Sequence, residues 1–482
     1  MPTFLAFGPG CRPALICFVS ALAGLPGARA QTVEVLAPSA AADLERRVES
    51  RWAELVANDA PVGLAASASS APPAPQAALA STAELGIALR RNRLHFSACE
   101  AARLAGEREL STPRGCAAAA ALGERALAAY AIGEDRILVS ETFSEQAERL
   151  LRLYPSALPP SDPLAIEALL DVVLWHELAH AVQDRAHDLA RLGAAARGFE
   201  ARAALSAVIE GHAQLSARHL ASSPRHRAAF EVLARSHEEA PVAVAPSSLR
   251  AVAACEAGFA YRAGLLFCAE LARQSSAGEL LSRAFHSPPT TLWHVEHPRA
   301  WLAGEADPGQ RFEDPLRAFA GAGFERERWA STLENATRES LRRALSALDP
   351  VRVERVVGAV LGSRVLHVRE RTGQERLLFA VLDLGSEALA AEFIAAEEEA
   401  SRRFDAQQQE EPALALRASY ARRGEDGALW IVKQSRDTSG SVERSGLLLA
   451  RSGSLVIELN VLGATSEERA RALALELAAR LR

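Results

Sequence analysis

The segment "LWHELAHAVQD", from Leu174 to Asp184, places two histidines four residues apart, with a glutamate directly after the first. On a helix, positions i and i+4 lie on one face about one turn apart, so His176 and His180 could both point at one metal ion. Glu177 would then lie beside the metal, where it could accept a proton from a water molecule that the metal activates. The alternative is a helix whose two histidines are satisfied within a protein core.

The residues ahead of this segment predict a half-buried helix. Asp162 can cap it, and Pro163 suits the first helical position, where its missing N–H leaves no hydrogen bond unmade. An apolar stripe at spacings of three or four residues then leads into the two histidines: Ile166, Leu169, Val173, His176 and His180. The histidines therefore continue a face that we expect to be buried.

A catalytic zinc site needs a third protein ligand, and the sequence excludes one class of zinc peptidase. A metzincin has a glycine three residues after the second histidine and a third histidine three residues beyond it. Gln183 and Ala186 occupy those positions here. A metzincin also has a methionine turn, but the only methionine of the chain is Met1.

A glutamate from a later helix is the remaining source of the third ligand. The helix predicted at Phe199–Leu215 offers Glu200 and Glu210, and Ala207 is small enough to allow close approach to the first helix. Glu200 and Glu210 point only about 80° apart on a helix of 3.6 residues per turn, so periodicity does not choose between them. His212 is a third, weaker candidate.

Three segments together resemble a known family. "HELAHAVQD" (His176–Asp184) and "AVIEGHA" (Ala207–Ala213) are similar to the gluzincin pattern, in which a later glutamate completes the zinc site. With "SPPTTLWHVEHP" (Ser287–Pro298), they more closely resemble a group of exported bacterial zinc-peptidase-like proteins. The resemblance covers about Leu164 to Trp301.

This resemblance implies a site as well as a fold. It implies zinc held by His176, His180 and Glu210, in a zincin-like domain with peptidase activity. One position departs from the family pattern, because His212 stands where the family has an aspartate.

Four further residues are candidates for supporting roles. Gln183 and Asp184 lie within one turn of His180 and could orient a ligand, although such residues are often a solvated helix face. Tyr261 and His297 could donate to the oxyanion of a tetrahedral intermediate. Their alternatives are a packed core tyrosine and a histidine that fixes a loop.

Length and composition predict two domains with full-sized cores, because the chain has 482 residues and 49% of them are hydrophobic. Residues 31–83 are expected to hold an amphipathic helix at Ala40–Asn58 and a Pro-, Ala- and Ser-rich linker at Ala66–Ser81 without regular structure. Residues 84–348 would form the mostly helical zincin-like domain, and residues 349–482 a smaller α+β domain. The predicted fold class is α+β.

Short patterns predict elements within these domains. Strands are expected at Asp135–Phe143 and Arg376–Leu384, and a hairpin turns at Ser452 and Gly453. Thr465 and Glu468 form a capping box for a final helix.

The first thirty residues predict a secretory signal peptide. Arg12 supplies the positive region, Ala14–Gly24 is an apolar core too short to span a bilayer, and Ala28–Ala30 is a cleavage site before Gln31. An uncleaved anchor is the alternative. No other apolar run approaches roughly 18 residues, so we expect no membrane span in the mature chain. The expected location is the periplasm or the outside of the cell.

The cysteines agree with export. Four remain after cleavage, an even number that suits an oxidising compartment. The pairing that closes short loops joins Cys99 to Cys116 and Cys255 to Cys268. Four buried free thiols are the alternative.

These observations predict an exported zinc peptidase whose partner is a peptide or protein substrate. A net charge of −6 gives no reason to expect nucleic acid as a partner. The alternatives are a catalytically inactive, metal-stabilised binding or scaffolding protein of the cell envelope, and an exported protein without metal. The presence of Glu177 favours the enzyme, because a structural metal site needs no acid there.

Overall fold

The computed structural model describes most of the chain between Pro38 and Leu481. The described residues are 38–58, 72–95, 107–110, 112–124, 126–155, 157–238, 249–274, 276–325, 327–371, 376–409, 415–423, 428–436, 442–462 and 467–481. The predicted signal peptide lies outside them.

The chain divides into two structural units. Unit 1 comprises Met1–Pro241, Glu256–Thr290 and His294–Trp301, and unit 2 comprises Val242–Cys255, Thr291–Trp293 and Leu302–Arg482. The main division therefore follows Trp301, whereas the sequence suggested Asp349.

Helices dominate unit 1. In chain order its elements are α1 (Pro38–Asn58), β1 (Gln76–Ala80), α2 (Thr82–His95), α3 (Pro113–Gly123), β2 (Ala128–Ala131), β3 (Arg136–Ser140), α4 (Phe143–Leu153), α5 (Ala165–His187), α6 (Leu189–Ala195), α7 (Phe199–Leu220), α8 (Pro224–Glu238), α9 (Leu249–Ala272), α10 (Ala277–His286), α11 (Leu292–Glu296) and α12 (Pro298–Ala303). The division crosses three of these helices, α9, α11 and α12.

A small sheet completes unit 1. Its strand order is β1-β3-β2, with β1 parallel and β2 antiparallel to β3. β1 falls within the segment predicted as an irregular linker, so that prediction is wrong for Gln76–Ala80. Alanine side chains do not prevent pairing: the backbone aligns with β3 from Gln76 opposite Arg136 to Ala80 opposite Ser140, and Ala80 packs in a core with Leu138. Residues 66–71 of the predicted linker lie outside the described residues.

Helix α5 carries the quoted segment through the interior of unit 1. Every residue from Asp171 to Ala181 is buried. The helix begins at Ala165 and not at the predicted Pro163. The Asp162 carboxylate accepts a hydrogen bond from Leu164 N (2.9 Å), and its carbonyl accepts one from Ala165 N (3.0 Å), which forms a separate turn ahead of the helix.

Unit 2 is built around a larger sheet. After a 3₁₀ turn at Pro308–Phe312, its elements are α13 (Glu313–Gly323), β4 (Trp329–Glu334), α14 (Arg338–Ala344), α15 (Pro350–Gly358), β5 (Gly362–Glu370), β6 (Arg376–Asp383), α16 (Glu387–Gln409), β7 (Ala415–Arg423), β8 (Ala428–Arg436), β9 (Val442–Ser452), β10 (Leu455–Leu462) and α17 (Glu467–Arg480).

The seven strands of this sheet lie in the order β4-β5-β6-β10-β9-β8-β7, and all neighbouring pairs are antiparallel. Helices cover both faces. Phe379 and its neighbours pack with α13 and α17 on one face, and Leu382 and its neighbours pack with α14, α15 and α16 on the other. The last hairpin turns at Gly453 and Ser454, one residue later than predicted, with Gly453 at a left-handed φ of 62°. The α+β class is therefore correct.

The cysteines differ from the prediction. Cys116 and Cys268 are free, and the buried thiol of Cys268 lies 3.7 Å from Val208 O. The bonds predicted for these two residues are therefore not formed. Cys99 and the side chain of Cys255 lie outside the described residues.

None of the described helices combines the length and the apolar character that a membrane span requires.

Candidate metal centre

Two neighbouring helices of unit 1 bring three potential metal ligands together. His176 and His180 lie on α5, and Glu210 lies on α7. One ligand atom from each residue lies within 4.8 Å of the others. Glu210 Oε2 is 3.2 Å from His176 Nε2 and 3.6 Å from His180 Nε2, and the two Nε2 atoms are 3.0 Å apart. This group could bind a metal ion, and we call it the triad.

The triad is completely buried. His176, His180 and Glu210 each expose 0% of their surface. Glu210 Oε1 has no hydrogen-bond partner among the described residues. Burying a carboxylate without a compensating positive charge destabilises the folded protein by roughly several kcal/mol. The set of two imidazoles and one carboxylate around a common point therefore fits a divalent cation.

When no cation is bound, a proton within the triad can supply the positive charge that Glu210 needs. Burial lowers the pKa of His176 to about 4. Burial also acts against the charged form of His180, but the charge of Glu210 and its hydrogen bond outweigh it and raise the pKa of His180 to about 9. Burial acts against ionisation of Glu210, yet His180 and His176 lower its pKa to about 2. Without a cation, one proton on His180 therefore balances Glu210.

Gln183 fixes the orientation of His180. His180 Nδ1 lies 2.9 Å from Gln183 Oε1, while Gln183 Nε2 lies 3.0 Å from both Ile209 O and His212 Nδ1. The carbonyl of Ile209 can only accept, so the amide nitrogen of Gln183 faces it and the amide oxygen faces His180. His180 must then donate from Nδ1, which directs Nε2 towards the triad.

The structure resolves the choice that periodicity left open. Glu210, and not Glu200, joins the two histidines among the described residues. His212 contacts Gln183, which in turn contacts His180, so His212 is linked to the triad through Gln183. Gln183 thus makes the predicted contact with His180.

Asp184 does something different from the prediction. Its Oδ2 accepts from Tyr130 Oη (3.1 Å) and from Gly133 N (3.2 Å), and its Oδ1 accepts from Leu189 N (2.9 Å). These bonds tie α5 to the turn after β2 and to the start of α6. Asp184 therefore anchors the neighbouring backbone instead of orienting His180.

Glu177 lies on α5 beside the triad and is 1% exposed. Its Oε2 accepts a hydrogen bond from Tyr130 N on the edge strand β2 (2.6 Å), whereas its Oε1 is buried without a partner among the described residues. Burial raises the pKa of Glu177 to about 7. One carboxylate oxygen is thus held and the other is bare.

Tyr261, predicted as an oxyanion donor, lies next to the triad. Its ring centroid is 6.1 Å from that of His176, and it stacks on His237 at 4.1 Å with an interplanar angle of 8°. His237 is buried, and its burial lowers its pKa to about 3. No sequence pattern selects His237, because it is a single histidine near the end of a helix.

A close helix contact places Tyr261 there. A Cβ on Gly264 would lie 1.9 Å from Ala207 O, and a Cβ on Gly211 would lie 2.0 Å from Gly264 C. Only glycine allows α7 and α9 to approach so closely. Gly211 follows Glu210, and Gly264 is one helical turn after Tyr261, so this contact brings the tyrosine to the triad. The backbone at Ala207 therefore takes part in the close contact with α9, and α7 also packs against α5, as the sequence suggested.

His297 lies between α11 and α12 with a half-buried side chain. Its N–H donates to His294 O (3.3 Å), and its carbonyl accepts from Trp301 N (3.1 Å). Its role as an oxyanion donor stays a prediction.

Comparisons with known proteins do not identify a family. No family model matches the chain. No curated protein matches it. Among solved structures, the chain is similar to the extracellular domain of PknH from Mycobacterium tuberculosis, with a TM-score of 0.24 and 11% identity, over 35% of this chain and 90% of that one. A TM-score this low assigns neither a fold nor a function.

Proposed function

We propose that the chain is an exported zinc-dependent peptidase that hydrolyses peptide bonds. The observation that carries this proposal is the position of Glu177, a buried acid directly beside three convergent ligands, with one oxygen held and the other bare. A metal site that only stabilises a fold has no use for such a group. The resemblance to exported zinc-peptidase-like proteins supports the same function.

The donor set supports zinc as the metal. Two imidazole nitrogens and one carboxylate leave a fourth position open, which is typical of catalytic zinc sites. When bound, the metal would act as a Lewis acid that polarises the peptide carbonyl and activates water. His176, His180 and Glu210 would hold it, and Gln183 keeps Nε2 of His180 free to serve as a ligand.

Glu177 would move the proton. Its Oε1 would accept a proton from the attacking water and then deliver it to the leaving amine. Before a metal binds, burial raises the pKa of Glu177 to about 7, and a carboxyl group of this kind can both accept and deliver a proton near neutral pH. Tyr261, beside His176, and His297 remain the proposed donors to the developing oxyanion.

A second candidate function is a metal-stabilised protein without turnover. Complete burial of the triad supports it. The edge of β2 supports it as well, because side chains already occupy its backbone groups. Tyr130 N donates to Glu177, Tyr130 O accepts from Asn92, and Ile132 N donates to Asn92. A peptide that binds as an added strand needs such backbone groups, so it would first have to displace these side chains.

Replacing Glu177 with glutamine separates the two functions. The substitution preserves size and removes only the basic carboxylate. In the peptidase, zinc content and fold should persist, while turnover of a broad peptide library falls about 10²- to 10⁴-fold. His176→Ala should instead remove metal and activity together, because it deletes a ligand.

The outcomes are distinct. Equal zinc-dependent cleavage by wild type and Glu177→Gln would show that the mechanism is wrong. Zinc bound tightly, with no cleavage by the wild type, would favour the metal-stabilised protein. Export is checked separately by intact mass, because the mature chain should begin at Gln31, and retention of residues 1–30 would contradict it.

A further inference from the structure

Asn92 is connected to Glu177 through the edge strand β2. Asn92 lies on α2 and is 2% exposed. Its Nδ2 donates to Tyr130 O (2.6 Å), and its Oδ1 accepts from Ile132 N (3.0 Å). The side-chain amide therefore makes the two bonds that a neighbouring strand would make.

This pairing fixes the orientation of the amide and of the strand. If the amide were turned over, its NH₂ group would face the N–H of Ile132 and its oxygen would face the carbonyl of Tyr130. Both contacts would be repulsive in a buried site. Both hydrogen bonds of Asn92 can therefore form only when β2 lies in its observed position.

Tyr130 transmits this position to Glu177. β3 pairs with one edge of β2, with Tyr130 opposite Ile137, and the other edge meets α5. There Tyr130 N donates to Glu177 Oε2 at 2.6 Å. The phenol of Tyr130 is held at the same time by Asp184 (3.1 Å). Backbone and side chain of one residue are therefore both fixed.

We propose that Asn92 is a positioning residue that acts through the Tyr130 peptide to aim the Glu177 carboxylate at the triad. The proposal rests on the proposed peptidase function. Asn92 holds β2 in register, Tyr130 N captures one oxygen of Glu177, and the bare Oε1 is thereby directed to the reacting water. Without the clamp, the carboxylate would rotate among several orientations, and such misplacement reduces turnover more than substrate binding.

Asn92→Leu tests this role, since leucine has a similar volume and makes neither bond. We expect kcat to fall about 10- to 100-fold, with KM and zinc content unchanged. Hydrogen exchange at the Tyr130 amide should accelerate by roughly tenfold, because the strand opens more readily without the two bonds. Asn92→Asp keeps the acceptor for Ile132 N but places an oxygen against Tyr130 O, which is the repulsive contact that a turned-over amide would make, so kcat should fall at least as far as in Asn92→Leu.

Arg90→Leu is the matched control on the same helix. Arg90 NH1 donates to Gly115 O (3.2 Å), which joins α2 to α3 without involving β2. This variant should keep kcat and the protection of the Tyr130 amide. Equal losses of kcat in Asn92→Leu and Arg90→Leu would show that Asn92 only stabilises the structure around α2, and would overturn the proposal. Unchanged kcat in Asn92→Leu would overturn it as well.

Failure of the proposed function gives a different result. If the zinc-loaded wild type cleaves no peptide, the peptidase proposal and the catalytic role of Asn92 fall together. Amide exchange would still decide whether Asn92 holds Tyr130 against Glu177, because that measurement needs no turnover. Unchanged exchange in Asn92→Leu would show that the clamp does not exist in solution.

Discussion

Glu210 Oε2 lies 3.2 Å from His176 Nε2, and both side chains are fully buried. The two residues belong to different helices, so their contact depends on how α5 and α7 pack. It identifies Glu210 as the carboxylate of the triad.

Glu210→Ala should therefore weaken zinc binding much more than Glu200→Ala. Removing one of three protein ligands leaves a labile site, and we expect at least a 100-fold rise in the Kd for zinc. Glu200 is a matched control on the same helix. The measurement is competition with a chromophoric chelator. Loss of metal in Glu200→Ala, but not in Glu210→Ala, would show that the wrong carboxylate was chosen.

Gln183→Leu should weaken zinc binding about 10- to 100-fold while all three ligands remain. Without Oε1 to accept from Nδ1, His180 can carry its proton on either nitrogen and loses its fixed orientation. Gln146→Leu is the control, because Gln146 is also buried but bonds Ser140 (3.3 Å) and Thr142 (3.0 Å). Equal affinities in the two variants would argue against the orienting role.

Zinc binding at pH 7 should release at least about one proton. Because the pKa of His180 is about 9 without metal, its imidazole is protonated at that pH, and it must lose the proton to become a ligand. Affinity should accordingly rise with pH up to about 9 and then level off. Calorimetry in buffers of different ionisation enthalpy counts the protons. A count of zero would mean that His180 is already neutral.

Part of this site follows from local sequence, and part depends on long-range packing. The spacing of His176 and His180 is a property of one helix, so the sequence predicts their shared face. The choice of Glu210 over Glu200 needs the packing of two helices. Asn92 and Tyr130 are 38 residues apart, and Tyr130 and Glu177 are 47 apart, so no local pattern links them.

The same limit applies to the fold. The sequence predicts α5, α7 and several strands of unit 2 because each has its own periodicity. It misses β1, whose alanines form a strand only because β3 is there to pair with. It also places the division of the chain too late, because β4 shares a sheet with β5.

Unit 2 contains a similar case at Glu397, Glu398 and Glu399. The three glutamates are consecutive on α16, and nothing in the sequence distinguishes them. In the structure, Glu397 is 3% exposed, whereas Glu398 pairs with Arg402 (2.9 Å) and Glu399 with Arg403. Only the packing of α16 on the sheet selects Glu397 for burial.

The charges around Glu397 do not offset the cost of burying its carboxylate. Lys433 on β8 could neutralise it, but Lys433 Nζ already lies 2.8 Å from Asp405 Oδ1. Glu458 on β10 adds a second acid, which accepts a hydrogen bond from Asn460. Burial, with the nearby charge of Glu458, raises the pKa of Glu397 to about 8, and burial raises that of Glu458 to about 7.

Unit 2 should therefore lose stability as pH rises. Below about pH 4.5 these carboxyls are protonated in both folded and unfolded chains. Between that pH and about 8, the folded protein keeps protons that the unfolded chain has lost, so unfolding releases protons and the free energy of unfolding falls. We expect the thermal midpoint of unit 2 to drop by roughly 10 °C from pH 5 to pH 8.

Calorimetry of the full-length chain, with hydrogen exchange of β10 peptides to identify the transition of unit 2, measures this slope. Glu397→Gln should remove most of it, because glutamine keeps the shape and does not ionise. Glu398→Gln, one position along the helix, should retain the slope, because Glu398 pairs with Arg402. If the thermal midpoint of unit 2 still falls with pH in Glu397→Gln, another titrating group causes the fall. A slope lost equally in both variants would indicate a general effect of charge on α16.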